Sequence, residues 1–332
     1  MTTTHANLLT DVAGVKVGHA SDGKLASGAT AIVFDQPAVA SIDVRGGGPG
    51  TRETDMLDPA MTVPAIDAIA LSGGSAFGLD AGAGVQAWLR EQGRGYAVRT
   101  ARVPIVPGAI LFDLLNGGDK DWGRYPPYRE LGYAAAAAAG KTFALGSVGA
   151  GLGATTVNFK GGIGSASTTV GDITVAALAA ANAAGSVVIG DGPHFWAAPY
   201  EVGGEFGGRG SPATVAPEAL APRTKGTVMT STTLAVVVTD AQLTKPQARR
   251  LAVMAQDGVA RAIFPVHTPL DGDVVFAAAT AARPLTDPIF GLTQLGAAAA
   301  LVLARAIARG VYEAQALPFG GPPGWKDKFG AR

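Results

Sequence analysis

A run of hydroxyl side chains, Thr230-Ser231-Thr232-Thr233, leads straight into the apolar stretch Leu234–Val238 and on to Thr239-Asp240. The apolar stretch is short, continuous and rich in valine, which predicts a strand buried on both faces. A threonine at the mouth of such a strand has two readings. Threonine favours strands and strand ends, so Thr232 can be purely structural. Alternatively, the chain cuts itself before Thr232. The hydroxyl is then a nucleophile, and the freed α-amine is its own base.

Four other places could do chemistry. Lys160 stands alone among glycines in the low-charge stretch 155–166, either as a solvated hairpin lysine or as one that points into a site. Asn182 ends the apolar run Ile173–Asn182. A buried asparagine must find hydrogen-bond partners, so it bridges backbone or donates to a substrate. Asp271-Gly272-Asp273 precedes the apolar run Val274–Ala279. The pair is a tight turn, or two carboxylates that orient an amine and a hydroxyl. His267 orders the loop that holds Asp271. Finally, Ser72-Gly73-Gly74-Ser75-Ala76-Phe77-Gly78 follows a short strand, Ile66–Leu71, and precedes a helix through Ala87–Arg90. Unpaired N–H groups at a helix start make such a turn an anion or oxyanion cradle, with Gly73 and Gly74 as candidate donors. Tight packing is the other use of those glycines. A nucleotide-binding reading lacks a Walker lysine and the dinucleotide spacing, and it explains nothing at 231–240.

The rest of the chain must position these groups. With 332 residues it is long for one domain and short for three. Apolar residues make up 48% and charged residues 16%, so a large core is available. Lys plus Arg and Asp plus Glu are 26 each, which argues against a nucleic-acid partner and a disordered acidic tail. The low charge and 47 glycines fit a tightly packed assembly, expected to be a homo-oligomer. There is no cysteine, which excludes disulfides, thiolate metal sites and cysteine nucleophiles. No histidine pair has zinc spacing, no acidic loop has calcium spacing, and there is no Gly-x-Ser-x-Gly turn. The N-terminus lacks a secretory pattern, and the alanine-rich segments are too short or too interrupted by glycine to span a membrane. A soluble, cytoplasmic protein with no membrane partner is expected.

Along the chain, Leu8–His19 reads as a small hairpin or edge strand. Ala29–Asp35 and Ala38–Val44 read as an antiparallel pair turned at Gln36-Pro37. Val103–Asp113 is an irregular buried connector, and Arg129–Gly140 holds a helix. Gly185–Gly190 resumes as a strand after Asn182. Residues 196–226 have no periodicity and sit where a processing linker should be. Thr244-Lys245-Pro246 caps a helix that runs to about Ile263. An apolar helix, about Leu292–Ala308, needs cover from other elements or another subunit.

Together these pieces resemble the P1 family of self-processing peptidases (peptidase family S58). That family includes the L-aminopeptidase/D-Ala-esterase-amidase, the β-peptidyl aminopeptidases and the nylon-oligomer hydrolases. The resemblance spans nearly the whole chain. It is carried by LTDVAGVKVGH (9–19), GAT (28–30), VRGGGPGTRE (44–53), LSGGSAFGLDAGAGV (71–85), RVPIVPGAILFDL (102–114), STTLAVVVTDA (231–241) and FPVHTPLDGDVVFAAAT (264–280). It implies an α+β fold, a four-layer αββα sandwich of the N-terminal-nucleophile kind with its own connectivity. It implies a single-domain precursor cut into 1–231 and 232–332, and hydrolysis of amide or ester bonds in short peptides or peptide-like oligomers. No cofactor or metal is implied.

Matched position by position, Thr232 falls at the family's nucleophile, Lys160 at its site lysine and Asn182 at its oxyanion asparagine. Asp271 and Asp273 fall at the paired aspartates of the nylon-hydrolase branch. Two positions depart from the pattern. Ser231 stands where the family often has asparagine, and it is a second candidate nucleophile. Phe112 stands where some members place a tyrosine hydroxyl near the oxyanion, so Asn182 and backbone N–H groups must carry that charge here. The alternative, from another class, is an uncut chain that acts as a small-molecule binding protein.

Overall fold

The computed structural model describes residues 6–226 and 231–330. Met229 and Thr230, upstream in the hydroxyl-rich run, lie outside them. Strand β10 (Thr232–Ala241) is buried at every position, as its continuous apolar run predicts. Its alternate side chains feed two different cores, because successive residues of a strand point to opposite faces. Leu234, Val236 and Val238 enter an inner core with Ile32, Phe34, Ile69, Leu71 and Phe276. Ala235 and Val237 enter a second core with Leu251, Val259, Val302 and Leu303. Full burial of such a side chain contributes about 1.5–3 kcal/mol.

The strands follow the order β3-β7-β4-β2-β11-β10-β9-β8, with β1 also paired to β2. In chain order they are β1 (Val15–Asp22), β2 (Ser27–Val44), β3 (Thr51–Arg52), β4 (Ile66–Ser72), β5 (Tyr96–Val98), β6 (Ala101–Val103), β7 (Gly108–Ile110), β8 (Ile163–Val170), β9 (Ile173–Asn182), β10 and β11 (Val274–Arg283). β5 and β6 form a separate hairpin. The helices are α1 (Ala81–Glu91), α2 (Tyr128–Ala137), α3 (Lys245–Ala262), α4 (Phe290–Tyr312) and the short α5 (Trp325–Phe329). A third core joins Ala31, Val33, Ala68 and Ala70 to Val85 and Leu89 of α1 and to Tyr128 and Ala135 of α2. The layers are therefore α1/α2, the β1-β2-β4-β7 half of the sheet, the β2-β11-β10-β9-β8 half, and α3/α4.

β2 corrects one expectation. Residues 29–44 are not a hairpin but part of one strand, Ser27–Val44, shared by both halves. Its first part pairs with β1 and β4, and Val39–Val44 pairs with β11. The register against β4 shifts between Val33 and Ala38, where Asp35, Gln36 and Pro37 are exposed. Pro37 lacks an N–H, so it is tolerated where the ladder is interrupted. Gly185–Gly190 likewise is not a strand; Ser186 and Val188 make only isolated bridges to Phe264 and Phe195. α1 and α2 cross where glycine permits it: a Cβ on Gly84 would lie 1.8 Å from the Arg129 carbonyl oxygen.

α3 is capped as expected, with the Thr244 side chain accepting from the Gln247 N–H. α4 is long and apolar enough to cross a membrane, yet it packs on α3 and on β8 and β9. Residues 196–226 contain only short 3-10 turns, but they are not loose. Phe206 is buried, and Glu205 pairs with the buried Arg305 at 2.5 Å.

Candidate active site

Antiparallel pairing of β9 and β10 sets Thr232 opposite Asn182. β11 runs parallel to β10 on its other side, so the loop entering β11 reaches the same strand end. That loop carries Asp271, Gly272 and Asp273. Ser231 bridges to Asp271, and the Gly272 N–H donates to the Ser231 carbonyl at 2.9 Å. The Thr232 hydroxyl donates to the same carbonyl oxygen at 2.5 Å. The peptide bond between Ser231 and Thr232 is therefore buried, with its carbonyl held by a backbone donor and touched by the next residue's hydroxyl.

The two carboxylates have separate tasks. Asp273 accepts from the Thr233 N–H at 2.8 Å, faces His267 Nδ1 at 2.9 Å and accepts from the His267 N–H at 3.3 Å. It thus ties the residue after Thr232 to the loop. Asp271 accepts from the Ala184 N–H at 2.9 Å and the Thr268 hydroxyl at 2.7 Å. Burial, and then the nearby Asp273, raise the Asp271 pKa above the usual carboxylate range. His267 orders this loop through Asp273, not through Asp271.

Gly272 leaves no room for a side chain. A Cβ there would come within 2.6 Å of both the Gly48 carbonyl oxygen and Thr232 Oγ1. Gly272→Ala is expected to lower the melting temperature, because the loop must shift away from Gly48 and Thr232; an unchanged melting temperature would show that the fit is not this close.

Lys160 is not a solvated hairpin lysine. It is 1% exposed, and its ammonium donates to the carbonyls of Ala154 (2.7 Å), Gly161 (2.8 Å) and Gly151 (3.2 Å). Burial lowers its pKa to about 7; Asp113 opposes the shift and Lys225 adds to it. The unfolded chain keeps this proton up to its ordinary pKa of 10.5, whereas the folded chain loses it near 7. Between those values the unfolded state binds more protons, so the Lys160 contribution to stability rises with pH across that window. Lys160→Met is expected to flatten this part of the rise in melting temperature, and an unchanged slope would contradict the assignment.

Asn182 is 1% exposed. Its Oδ1 accepts from the Thr155 N–H at 3.0 Å and from Lys225 Nζ at 3.1 Å, and its Nδ2 donates to the Phe112 carbonyl at 3.1 Å. Donors on Oδ1 and an acceptor on Nδ2 fix the orientation of the amide. Phe112 thus meets Asn182 through its backbone, while its residue lines a cavity of about 420 Å³. Leu115, Leu317 and Phe319 form the apolar part of that wall, and Asp113, Asn116, Thr155, Lys160 and Lys225 the polar part.

The glycine turn cradles an anion, but one that belongs to the fold itself. The Gly73 N–H donates to the Gly28 carbonyl at 3.0 Å, and the Gly74 N–H to Asp113 at 2.8 Å. Both candidate oxyanion donors are spent in this state. Gly74 has φ +82°, and a Cβ on Gly73 would lie 2.1 Å from an Asp113 oxygen. The turn is a seat for the Asp113 carboxylate, which also accepts from the Ser27 hydroxyl at 2.6 Å. Burial raises the Asp113 pKa.

Thr232, Asn182, Asp271 and Asp273 therefore meet at one strand end; Lys160 lines the neighbouring cavity beside Lys225, which bonds Asn182. Sequence reasoning missed Asp113, Asn116 and Lys225, and it missed the backbone N–H of Gly272 as a donor to Ser231. Asp113 had a signal, being the sole charge between Val103 and Leu114. Lys225 had none, because it lies in a stretch that reads as linker. Among the described residues, no three His, Cys, Asp or Glu side chains gather as metal ligands would.

Comparison with known proteins agrees over the whole length. An uncharacterized aminopeptidase of Mycobacterium tuberculosis is 45% identical over 97% of this chain and 98% of its own. A 6-aminohexanoate-oligomer endohydrolase of an Agromyces species is 29% identical over 81% of this chain and 74% of its own. Among solved structures, a Burkholderia beta-aminopeptidase superposes with a TM-score of 0.69 at 24% identity, covering 94% of this chain and 88% of that one. The L-aminopeptidase D-Ala-esterase/amidase of Ochrobactrum anthropi, described as a variant of the Ntn-hydrolase fold, also gives 0.69, at 20% identity, covering 93% and 86%. The sequence model of peptidase family S58 matches residues 7–321. With that match and an Ntn-hydrolase-like architecture, this peptide-bond hydrolase belongs to peptidase family S58.

Proposed function

We propose that the chain cuts itself between Ser231 and Thr232, and that Thr232 then hydrolyses amide bonds of short peptides or peptide-like oligomers through an acyl-enzyme. The observation that carries this reading is the hydroxyl of Thr232 resting on the carbonyl of Ser231, with the Gly272 N–H on the same oxygen. In the first step Oγ1 bonds to the Ser231 carbonyl carbon, and negative charge grows on the oxygen that Gly272 holds. The C–N bond then breaks, the hydroxyl proton passes to the leaving nitrogen, and an ester remains. Water cleaves that ester, leaving Ser231 as a carboxylate and Thr232 with a free α-amine.

That amine has a reference pKa of about 7.7–8.0, so a small fall makes it a competent base at neutral pH. Burial of the strand end acts in that direction. In turnover the amine takes the Oγ1 proton, Oγ1 attacks the substrate carbonyl, and the oxyanion rests on an Asn182 N–H. The amine returns the proton to the leaving group, and water releases the acyl product. Asp273, through Thr233 and His267, sets the position of the strand end, and Asp271 supports the loop beside it.

The test is a panel of amides assayed with the purified, matured protein. Release of the amine product, in step with the fraction of chain cut, is expected. A fully cut protein that hydrolyses no member of the panel would overturn the reading.

A further inference from the structure

Lys225 is the last lysine before the proposed cut, and its surroundings are unlike those of a linker residue. Its Nζ is aimed at oxygen acceptors: the Thr155 carbonyl at 2.9 Å, Asn182 Oδ1 at 3.1 Å, the Asn182 carbonyl at 3.2 Å and Thr155 Oγ1 at 3.4 Å. Three of these oxygens cannot donate, so the set matches the three hydrogens of a primary ammonium. The nest is built by β9 and by the turn that holds Thr155. Lys225 only visits it from the segment upstream of the cut. Lys160, by contrast, has its own three carbonyls nearby and no need of this set. Lys225 and Gly226 also line the cavity, so the lysine stands between that space and Asn182.

We propose that this nest is the ammonium subsite of the mature enzyme, and that Lys225 occupies it in the uncut chain as a stand-in for the substrate's own amine. The proposal rests on the reading of Thr232 as nucleophile and Asn182 as oxyanion donor, and it narrows the substrate class. One end of the Asn182 carboxamide would hold the ammonium and the other the oxyanion. Amine and scissile carbonyl must then lie close together in the substrate, as in α- or β-aminoacyl amides. The long methylene chain of a 6-aminohexanoyl group would carry its amine away from the nest. After the cut the larger piece ends at Ser231, so Lys225 can leave the nest and the cavity can admit the substrate.

The experiment uses the matured wild-type protein with four chromogenic anilides: alanyl, β-alanyl, N-acetylalanyl and 6-aminohexanoyl. Free α- or β-amines are expected to be preferred over the acetylated and the 6-aminohexanoyl compounds by about 10²-fold or more in kcat/KM, because a site built for an N–H donor is left unpaired without it. Equal rates for the acetylated or the 6-aminohexanoyl anilide would overturn the subsite while leaving the amidase reading intact. Hydrolysis of none of the four would remove the amidase reading itself, and this inference with it. Lys225→Ala supplies a second measurement. n-Butylammonium is expected to compete with the alanyl anilide in the matured variant, since the nest accepts an ammonium from outside the chain. If Lys225→Ala does not mature, added n-butylammonium is expected to restore the cut. Absence of competition in a matured variant, or of restored cutting in an unmatured one, would overturn the proposal.

Discussion

Replacing Thr232 by alanine is expected to leave a single uncut chain with no measurable amide hydrolysis, a loss on the order of 10⁴-fold or more. Both outcomes come from one atom. Oγ1 is the group that reaches the Ser231 carbonyl before the cut, and it is the group that attacks the substrate carbonyl in the proposed cycle afterwards. Alanine keeps the Cβ and the buried backbone position, so folding should survive, and circular dichroism can check it. Thr232→Ser keeps the hydroxyl and should still cut and turn over. The measurement is a denaturing gel read beside the hydrolysis rate. An alanine variant that is cut normally would move the first nucleophile elsewhere, with Ser231 the nearest alternative.

Asn182→Ala is expected to lower kcat by ~10²–10³, the usual cost of one oxyanion donor. The register of β9 against β10 puts Asn182 opposite Thr232, and two donors on Oδ1 hold the amide with Nδ2 on the other side. Removing the amide also strips a partner from the Thr155 N–H, at about 1–3 kcal/mol of stability. Rate and stability should therefore be measured separately, with kcat taken well below the variant's melting temperature. Turnover equal to wild type at full folding would remove Asn182 from the oxyanion role.

Much of this site could be read from the residues because its parts sit at ends of patterned runs. Thr232, Asn182 and Asp273 each adjoin a continuous apolar strand, and three such strands side by side bring their ends together. Strand identity was readable wherever burial on both faces left a long apolar run, as in β9, β10 and β11. It failed at β2, where Gln36-Pro37 carries a turn signal, yet the strand passes through it with a local register shift. It failed again at Gly185–Gly190, where a β-like run has only isolated partners.

The glycine turn at 73–74 shows a different limit. Its sequence advertises free N–H groups, but a carboxylate from across the fold, Asp113, takes one of them. Long-range capture of that kind leaves no local pattern. Lys225 is the sharpest case. Its neighbours are glycine, proline and charged residues, so it reads as solvated, and only the fold brings its ammonium to Asn182. Composition says where a chain lacks regular structure; it does not say what that chain touches.

The most direct test of the central claim is the intact mass of the purified wild-type protein together with N-terminal sequencing. The account predicts two pieces, residues 1–231 and 232–332 of the 332-residue chain, the smaller beginning Thr-Thr-Leu. A smaller piece beginning Ser-Thr-Thr would transfer the nucleophile to Ser231. A single uncut chain that still hydrolyses amides would contradict the self-processing mechanism, and one that only binds small molecules would favour a binding protein built on this fold.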